Sequence, residues 1–293
     1  MTYIIILNYN GWKDTIECLN SLSCIQEDCK IVLIDNKSTD DSIDKLEKWI
    51  QNQKELSSNL IFIKSSENNG YAAGNNIGIK YVESQEDAQF IWILNNDTLI
   101  QADILEKLLN CYKNLENENI ALLGSKILNE DFSIQSIGYL NSKYTEDEIK
   151  SKSSIEVEHI SGCSIFFRAD KIKEIGYIPE EYFLYYEETD WMKHIKQKGF
   201  KIFTCLSSQL IHKHAKSTGG IYSPFVIYYM TRNQILFNKK YLNSIQYYLF
   251  ITKMISRNLL KIIFYSFKNL KSSKSIFTGT IDGILNKKGK KES

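Results

Sequence analysis

Proline is nearly missing from this chain of 293 residues, occurring only as Pro179 and Pro224, which excludes collagen-like and proline-rich low-complexity architectures. No apolar run reaches the roughly 18 uninterrupted residues that a membrane-spanning helix needs. The six cysteines form no C-x-x-C pair and no zinc-type spacing. Met1 runs straight into the apolar TYIIIL without the pattern of a secretory signal, so the thiols are expected to be reduced and cytosolic. There is no internal repeat, no G-x-G-x-x-G dinucleotide fingerprint and no Walker loop.

What remains is a globular composition, 43% hydrophobic and 24% charged, long enough for one large domain or two small ones. The net charge of +1 hides an asymmetry. From Lys239 onward there are 12 Lys and Arg against 2 Asp and Glu, and before it 24 against 33. The expected division is therefore a body, 1–238, and a basic tail, 239–293.

The stretch FIWILNNDTL, residues 90–99, is the first chemical centre. An apolar run with aromatic and β-branched side chains suits a strand buried on both faces. Asn95, Asn96, Asp97 and Thr98 then fall just past its carboxyl end, where open α/β sheets bind ligands. An acid there suits a divalent cation, and the alternative is an ordinary Asn/Asp turn.

Two earlier strands end in the same way. Residues 3–7 lead into Asn8, Tyr9, Asn10 and Gly11, and residues 30–34 lead into Asp35, Asn36, Lys37 and the cap-like Ser38, Thr39 and Asp40. Amphipathic spacing over 15–22 and 43–50 predicts helices between strands, and 60–64 a third strand. Gly70, Gly74 and Gly78 follow at intervals of four, a helical face that another backbone or a ligand can approach. Alternating strands and helices predict a parallel, doubly wound sheet. Residues 104–115 suit a helix and 120–125 a strand, while the polar 141–158 reads as a mobile excursion before a strand at 164–168.

YFLYYEETDW, residues 182–191, is the second chemical centre. Crowded carboxylates beside aromatic rings favour a raised pKa on one of them, as a general base needs. Acidic residues stabilised at a helix N-terminus are the alternative. Residues 199–206 suggest an edge strand, after which His212 and His214 form an H-x-H pair. The Lys216 to Gly220 segment reads as a flexible loop suited to closing over a phosphate, and 226–236 as a helix interrupted by Arg232 and Asn233. In the tail, Lys253, Arg257, Lys261 and Lys268 form one stripe of an aromatic-rich amphipathic helix. Such a helix suits an anionic membrane surface or packs on the body with a solvated basic face. Basic residues in an apolar tail do not suit nucleic acid.

The phrases ILNYNG, VLIDNKSTDDS, NNGYAAGNNIGI, WILNNDT, HISGCSIFFRADKIKEIGYIPEEYFLYYEETDW, YYMTRNQILF and GTIDGILNKKGK, in this order, resemble the inverting family 2 glycosyltransferases of bacterial polysaccharide assembly. The resemblance is to their rhamnosyltransferase-like branch and covers nearly the whole chain. It implies a GT-A fold, a Rossmann-like, mostly parallel sheet flanked by helices, with the basic tail as an amphipathic helical appendage. The implied activity moves a sugar from dTDP-rhamnose or a UDP-hexose to a hydroxyl of a saccharide or lipid-linked oligosaccharide, with inversion, in capsule, O-antigen or cell-wall synthesis.

By position, Tyr9, Asn10, Asp35, Tyr71, Asn75, Asn76, Asn96 and Arg232 would bind the donor nucleotide-sugar. Asp97 and His212 would hold Mg2+ or Mn2+, and Glu188 would be the catalytic base. Glu187, Asp190 and Trp191 would face the acceptor or support the base. The metal motif opens on Asn95, where many members carry an acid, and the base is Glu188, where Asp is usual. The implied location is cytoplasmic, peripheral on the inner face of the bacterial membrane through the tail. A catalytically weak nucleotide-sugar-binding subunit of a glycosyltransferase complex is the alternative reading.

Overall fold

A computed structural model of the chain describes residues 1–53, 58–140, 144–213 and 223–291. The elements run β1 (Thr2–Asn8), α1 (Trp12–Leu22), β2 (Cys29–Asp35), α2 (Ser42–Asn52), β3 (Leu60–Lys64), α3 (Tyr71–Glu83), β4 (Phe90–Asn95), β5 (Thr98–Ile100) and α4 (Ile104–Asn114). They continue β6 (Ile120–Leu128), β7 (Ile134–Ser136), α5 (Glu146–Ser151), β8 (Ser154–Glu156), β9 (Ser164–Arg168), α6 (Ile172–Ile175), α7 (Glu187–Gln197) and β10 (Lys201–His212). Three helices close the chain: α8 (Pro224–Tyr241), α9 (Ser244–Lys268) and α10 (Leu270–Ile284). Two compact units result, Met1–Ile178 with Trp191–His214, and Pro179–Asp190 with Ala215–Ser293.

The first unit is built on one sheet in the order β3-β2-β1-β4-β9-β6-β10-β5, with β7 beside β6 and β8 beside β10. β1, β2, β3 and β4 run parallel. β9 is antiparallel to both β4 and β6, a reversal that the doubly wound expectation did not contain. Both faces of β4 are buried by alternation: Trp92 and Leu94 enter one core layer, Ile91 and Ile93 the other. Helices can lie this close because α3 carries glycine toward β1. A Cβ on Gly74 would stand 2.5 Å from Leu7 Cδ1, and one on Gly78 would stand 2.7 Å from Ile5 Cγ2. The neighbour of this glycine face is therefore the sheet itself.

Two further expectations change. Within the polar 141–158 region the Thr145 side chain closes a capping box with Glu148 at the start of α5, and Ile155 of β8 is buried. Burying Ile155 and Val157 gives that segment the apolar contact that its charged neighbours conceal. The strand expected at the sheet edge over 199–206 is β10, which continues to His212 and pairs with β6, β8 and β5.

In the second unit α10 packs on α8 through small residues. A Cβ on Gly279 would stand 2.8 Å from the Tyr228 carbonyl oxygen, and one on Gly283 would stand 2.9 Å from Ile235 Cβ. α9 buries only Met254 and Asn258, the latter donating to Thr280 Oγ1 at 2.9 Å. Lys253, Arg257, Lys261 and Lys268 are exposed, as are Leu260, Ile263 and Phe267.

Candidate functional site

Parallel register brings three polar strand ends together. Asn8 stands opposite Asp35, and Leu7 opposite Asn95. A chain of hydrogen bonds crosses this edge: Asn96 Nδ2 donates to Thr15 Oγ1 at 2.9 Å, Thr15 to Asn8 Oδ1 at 2.8 Å, and Asn8 Nδ2 to Asp35 Oδ2 at 2.8 Å. Asp35 is fully buried and also accepts from the Ser38 backbone N–H and hydroxyl, at 2.8 and 2.6 Å. Ser38 therefore organises the loop before α2 instead of capping the helix, whose N-cap is Asp41. Tyr9 and Asn10 are exposed, and Asn10, with φ of 52°, is held by the Thr39 backbone N–H at 2.7 Å.

On α3, Tyr71 donates to the Gly162 carbonyl at 2.6 Å, and Asn75 is buried with its amide on the Tyr71 carbonyl. Asn76 behaves differently from its neighbours. Its amide donates to the Ile178 carbonyl at 2.8 Å and accepts from the Ile178 N–H at 3.1 Å, a two-point clamp on the chain.

Asp97 and His212 meet because β5 pairs antiparallel with β10, setting His212 opposite Thr98. The Lys213 N–H ties the next residue to the Asp97 carbonyl at 3.0 Å. His212 Nε2 lies 3.3 Å from Asp97 Oδ1, a contact whose geometry is not that of a hydrogen bond, and this buried oxygen accepts none. His212 Nδ1 lies 2.8 Å from Gln135 Oε1 on β7. A buried carboxylate oxygen with an open lone pair beside an imidazole nitrogen fits a divalent cation. Among the described residues no third His, Cys, Asp or Glu joins them. A cation such as Mg2+ characteristically takes one or two protein ligands and completes its shell with phosphate and water.

The second unit carries the acidic turn. Phe183, Tyr185 and Tyr186 have φ of 66°, 67° and 79°, left-handed conformations that cost non-glycine residues energy. They lead directly into Glu187 and Glu188 at the start of α7. Burial pushes both carboxyls above the ordinary glutamate range, and for Glu187 the neighbouring Glu188 charge adds to the effect. One Glu187 oxygen is buried without a hydrogen bond. Asp190 is buried and paired with Lys240 at 2.6 Å and with the Tyr241 hydroxyl. Trp191, buried in the first unit, donates to the Gly176 carbonyl at 2.9 Å and packs edge-on to Phe167. Asp190 and Trp191 are thus held within their units as anchors of the helix start.

Arg232, expected on the donor, is only 1% exposed and spends its donors inside the second unit. It reaches the Tyr182 carbonyl and the Gly289 carbonyl, both at 2.7 Å, and Asn233 Oδ1 at 2.9 Å. Its planar fork suits carbonyl groups converging from separate segments, and the stacked Tyr229 ring covers it at 4.9 Å. The Arg-Asn interruption of the apolar helix was visible in sequence, but its target was not. Asn8 was expected only as part of a polar strand end and Thr15 only as the start of a helix, and nothing in the sequence pointed to Gln135. The segment from Lys216 to Gly220 and His214 lie outside the described residues.

The model of the glycosyl transferase family 2 matches residues 3–176. The low-salt glycan biosynthesis hexosyltransferase Agl10 of Haloferax volcanii is 24% identical over 306 residues, spanning 99% of this chain and 92% of its own. The fold is shared with the mannosyltransferase PcManGT of Pyrobaculum calidifontis, solved with GDP-Man and Mn2+. That likeness has a TM-score of 0.61 at 12% identity and covers 98% of this chain and 87% of that one. S. aureus TarS 1-349, solved with UDP-GlcNAc, gives 0.58 at 16% identity over 97% of this chain and 81% of its own.

Proposed function

The chain belongs to glycosyl transferase family 2, and from that premise we propose that it moves a hexosyl group from a nucleoside-diphosphate sugar to a hydroxyl of a saccharide or lipid-linked oligosaccharide. The donor is dTDP-rhamnose or a UDP-hexose, the anomeric centre is inverted, and the product enters a capsule, O-antigen or cell-wall polysaccharide. The observation that carries this reading is the buried, hydrogen-bond-free Asp97 oxygen 3.3 Å from His212 Nε2, at the carboxyl edge of the sheet. The hexosyltransferase relative and the nucleotide-sugar complexes of the fold neighbours support it.

In this mechanism Tyr9 and Asn10 line the nucleoside, with the buried Asp35 and the half-buried Asn96 holding their loops, and Tyr71 and Asn75 border the sugar. Asp97 and His212 would hold Mg2+ or Mn2+, and the ion would supply positive charge to stabilise the departing diphosphate. Glu188 takes the proton of the acceptor hydroxyl while its oxygen bonds to the anomeric carbon and the bond to the diphosphate oxygen breaks. Its raised pKa makes it a stronger base than a solvated glutamate. Glu187, buried beside it at the start of the same helix, supports the base. The exposed apolar and basic residues of α9 support peripheral contact with the anionic inner face of the cytoplasmic membrane.

A screen of dTDP-rhamnose, UDP-galactose, UDP-glucose and their N-acetyl relatives for hydrolysis, with and without Mn2+, tests the reading. One donor should be cleaved in a metal-dependent way, and Glu188→Gln should bind that donor but fail to transfer it. Donor binding without turnover in the wild type would instead identify a binding subunit.

A further inference from the structure

A directional chain of hydrogen bonds in the β6–β7 hairpin ends on His212. Asp131 is a carboxylate and only accepts, so the Ser133 hydroxyl, 2.5 Å from its Oδ1, must donate to it. With its proton spent there, Ser133 Oγ accepts from Asn129 Nδ2 at 2.8 Å. That fixes the Asn129 amide with its oxygen toward Gln135 Nε2, at 3.0 Å. The same Gln135 nitrogen donates to the His212 carbonyl at 3.2 Å. Two independent acceptors thus place the Gln135 NH2, and its oxygen is left facing His212 Nδ1 at 2.8 Å.

An amide oxygen cannot donate, so Nδ1 must carry the hydrogen. A neutral imidazole protonated at Nδ1 has its lone pair on Nε2, and Nε2 is the atom 3.3 Å from the hydrogen-bond-free Asp97 oxygen. With no hydrogen between them, the Nε2 lone pair and the bare Asp97 oxygen stand side by side as two electron-pair donors, an arrangement that a shared cation would satisfy. The pairing of β7 with β6, and of β6 with β10, brings Gln135 beside His212. Asn129 and Asp131 sit in the turn that joins β6 to β7.

We propose that Gln135 is a positioning residue for the metal site: it holds His212 in the Nδ1–H tautomer, with Asp131, Ser133 and Asn129 setting its direction. The hairpin thereby turns Asp97 and His212 into a ligand pair for a divalent cation and prevents their closing as an ion pair. This rests on the metal reading proposed above.

The test separates the two. Nitrogen-15 NMR of His212 in metal-free wild-type protein at pH 8 is expected to report the Nδ1–H tautomer; a dominant Nε2–H tautomer would overturn the proposal. Mn2+ binding, followed by the EPR signal of the free ion, should weaken about 10- to 100-fold in Gln135→Leu. In Gln135→Glu it should stay within about threefold, because the carboxylate still accepts from Nδ1–H. Glutamate cannot donate to Asn129 or to the His212 carbonyl, so a merely structural role would weaken both variants alike, and that result would also overturn the proposal. If Gln135→Leu fails to fold, the wild-type tautomer and Gln135→Glu still decide. Failure of wild-type protein with the Nδ1–H tautomer to bind Mn2+ would overturn the metal reading and the proposal with it, whereas Mn2+ binding by protein in the Nε2–H tautomer would overturn the proposal alone.

Discussion

The side-chain amide of Asn233 lies 2.8 Å from the Tyr185 carbonyl oxygen and donates to it. The same nitrogen reaches the Tyr182 and Leu184 carbonyls, at 3.0 and 2.8 Å. One short side chain therefore holds the turn in which three non-glycine residues adopt left-handed backbone, each costing about 1–3 kcal/mol. Asn233→Ala should destabilise the protein by about 3 kcal/mol, since buried carbonyls lose a donor at about 1–3 kcal/mol each. Urea unfolding measures this, and a loss below about 1 kcal/mol would contradict the clamp.

Glu187 has a defined pH signature. A carboxyl whose pKa is higher in the folded than in the unfolded state binds more protons when native in the interval between the two, so stability falls as pH rises through it. Glu187 is raised by burial and by the Glu188 charge. Glu187→Gln should therefore raise the Tm at pH 8 and leave it unchanged near pH 4, where wild type is protonated in both states. An equal Tm difference at both pH values would refute the cause.

For activity the sign is reversed, because a general base works only when deprotonated. Burial raises Glu188 above its ordinary 4.5, so the acidic limb of kcat should lie above that value. A kcat that is flat down to pH 4.5 would argue against Glu188 as the base.

Gly74→Val tests the approach of α3 to β1. Its Cβ would stand 2.5 Å from Leu7 Cδ1, so overpacking should cost about 1–3 kcal/mol or more in denaturant unfolding. No loss would mean that helix and strand can separate cheaply.

The α9 surface is best probed by charge, because α10 packs on α8 and truncation would strip that contact. Replacing Lys253, Lys261 and Lys268 by Glu should reduce sedimentation with phosphatidylglycerol vesicles by more than about tenfold, with helix content unchanged. Binding that persists would show that these charges do not face lipid.

The apolar run of β4 was legible because burial on both faces demands a near-continuous hydrophobic strand, and Trp92, Leu94, Ile91 and Ile93 fill both layers. The polar ends of β1, β2 and β4 were legible for the same reason, as their parallel register follows from alternating strands and helices. The order of the polar segments, the glycine face of α3 and the acidic turn before Trp191 could also be read directly, since each is written in consecutive residues.

Tertiary structure alone decided the rest, because it depends on pairings between segments distant in the chain. β9 inserts antiparallel between β4 and β6, which local periodicity cannot encode. Arg232 and Asn76 resemble ligand-binding residues in sequence yet hold backbone carbonyls, since a buried donor must be satisfied wherever the fold supplies an acceptor. Gln135 carries no signal at all within its short polar hairpin. Only the registers of β7 on β6 and of β5 on β10 set it behind His212 and set His212 before Asp97.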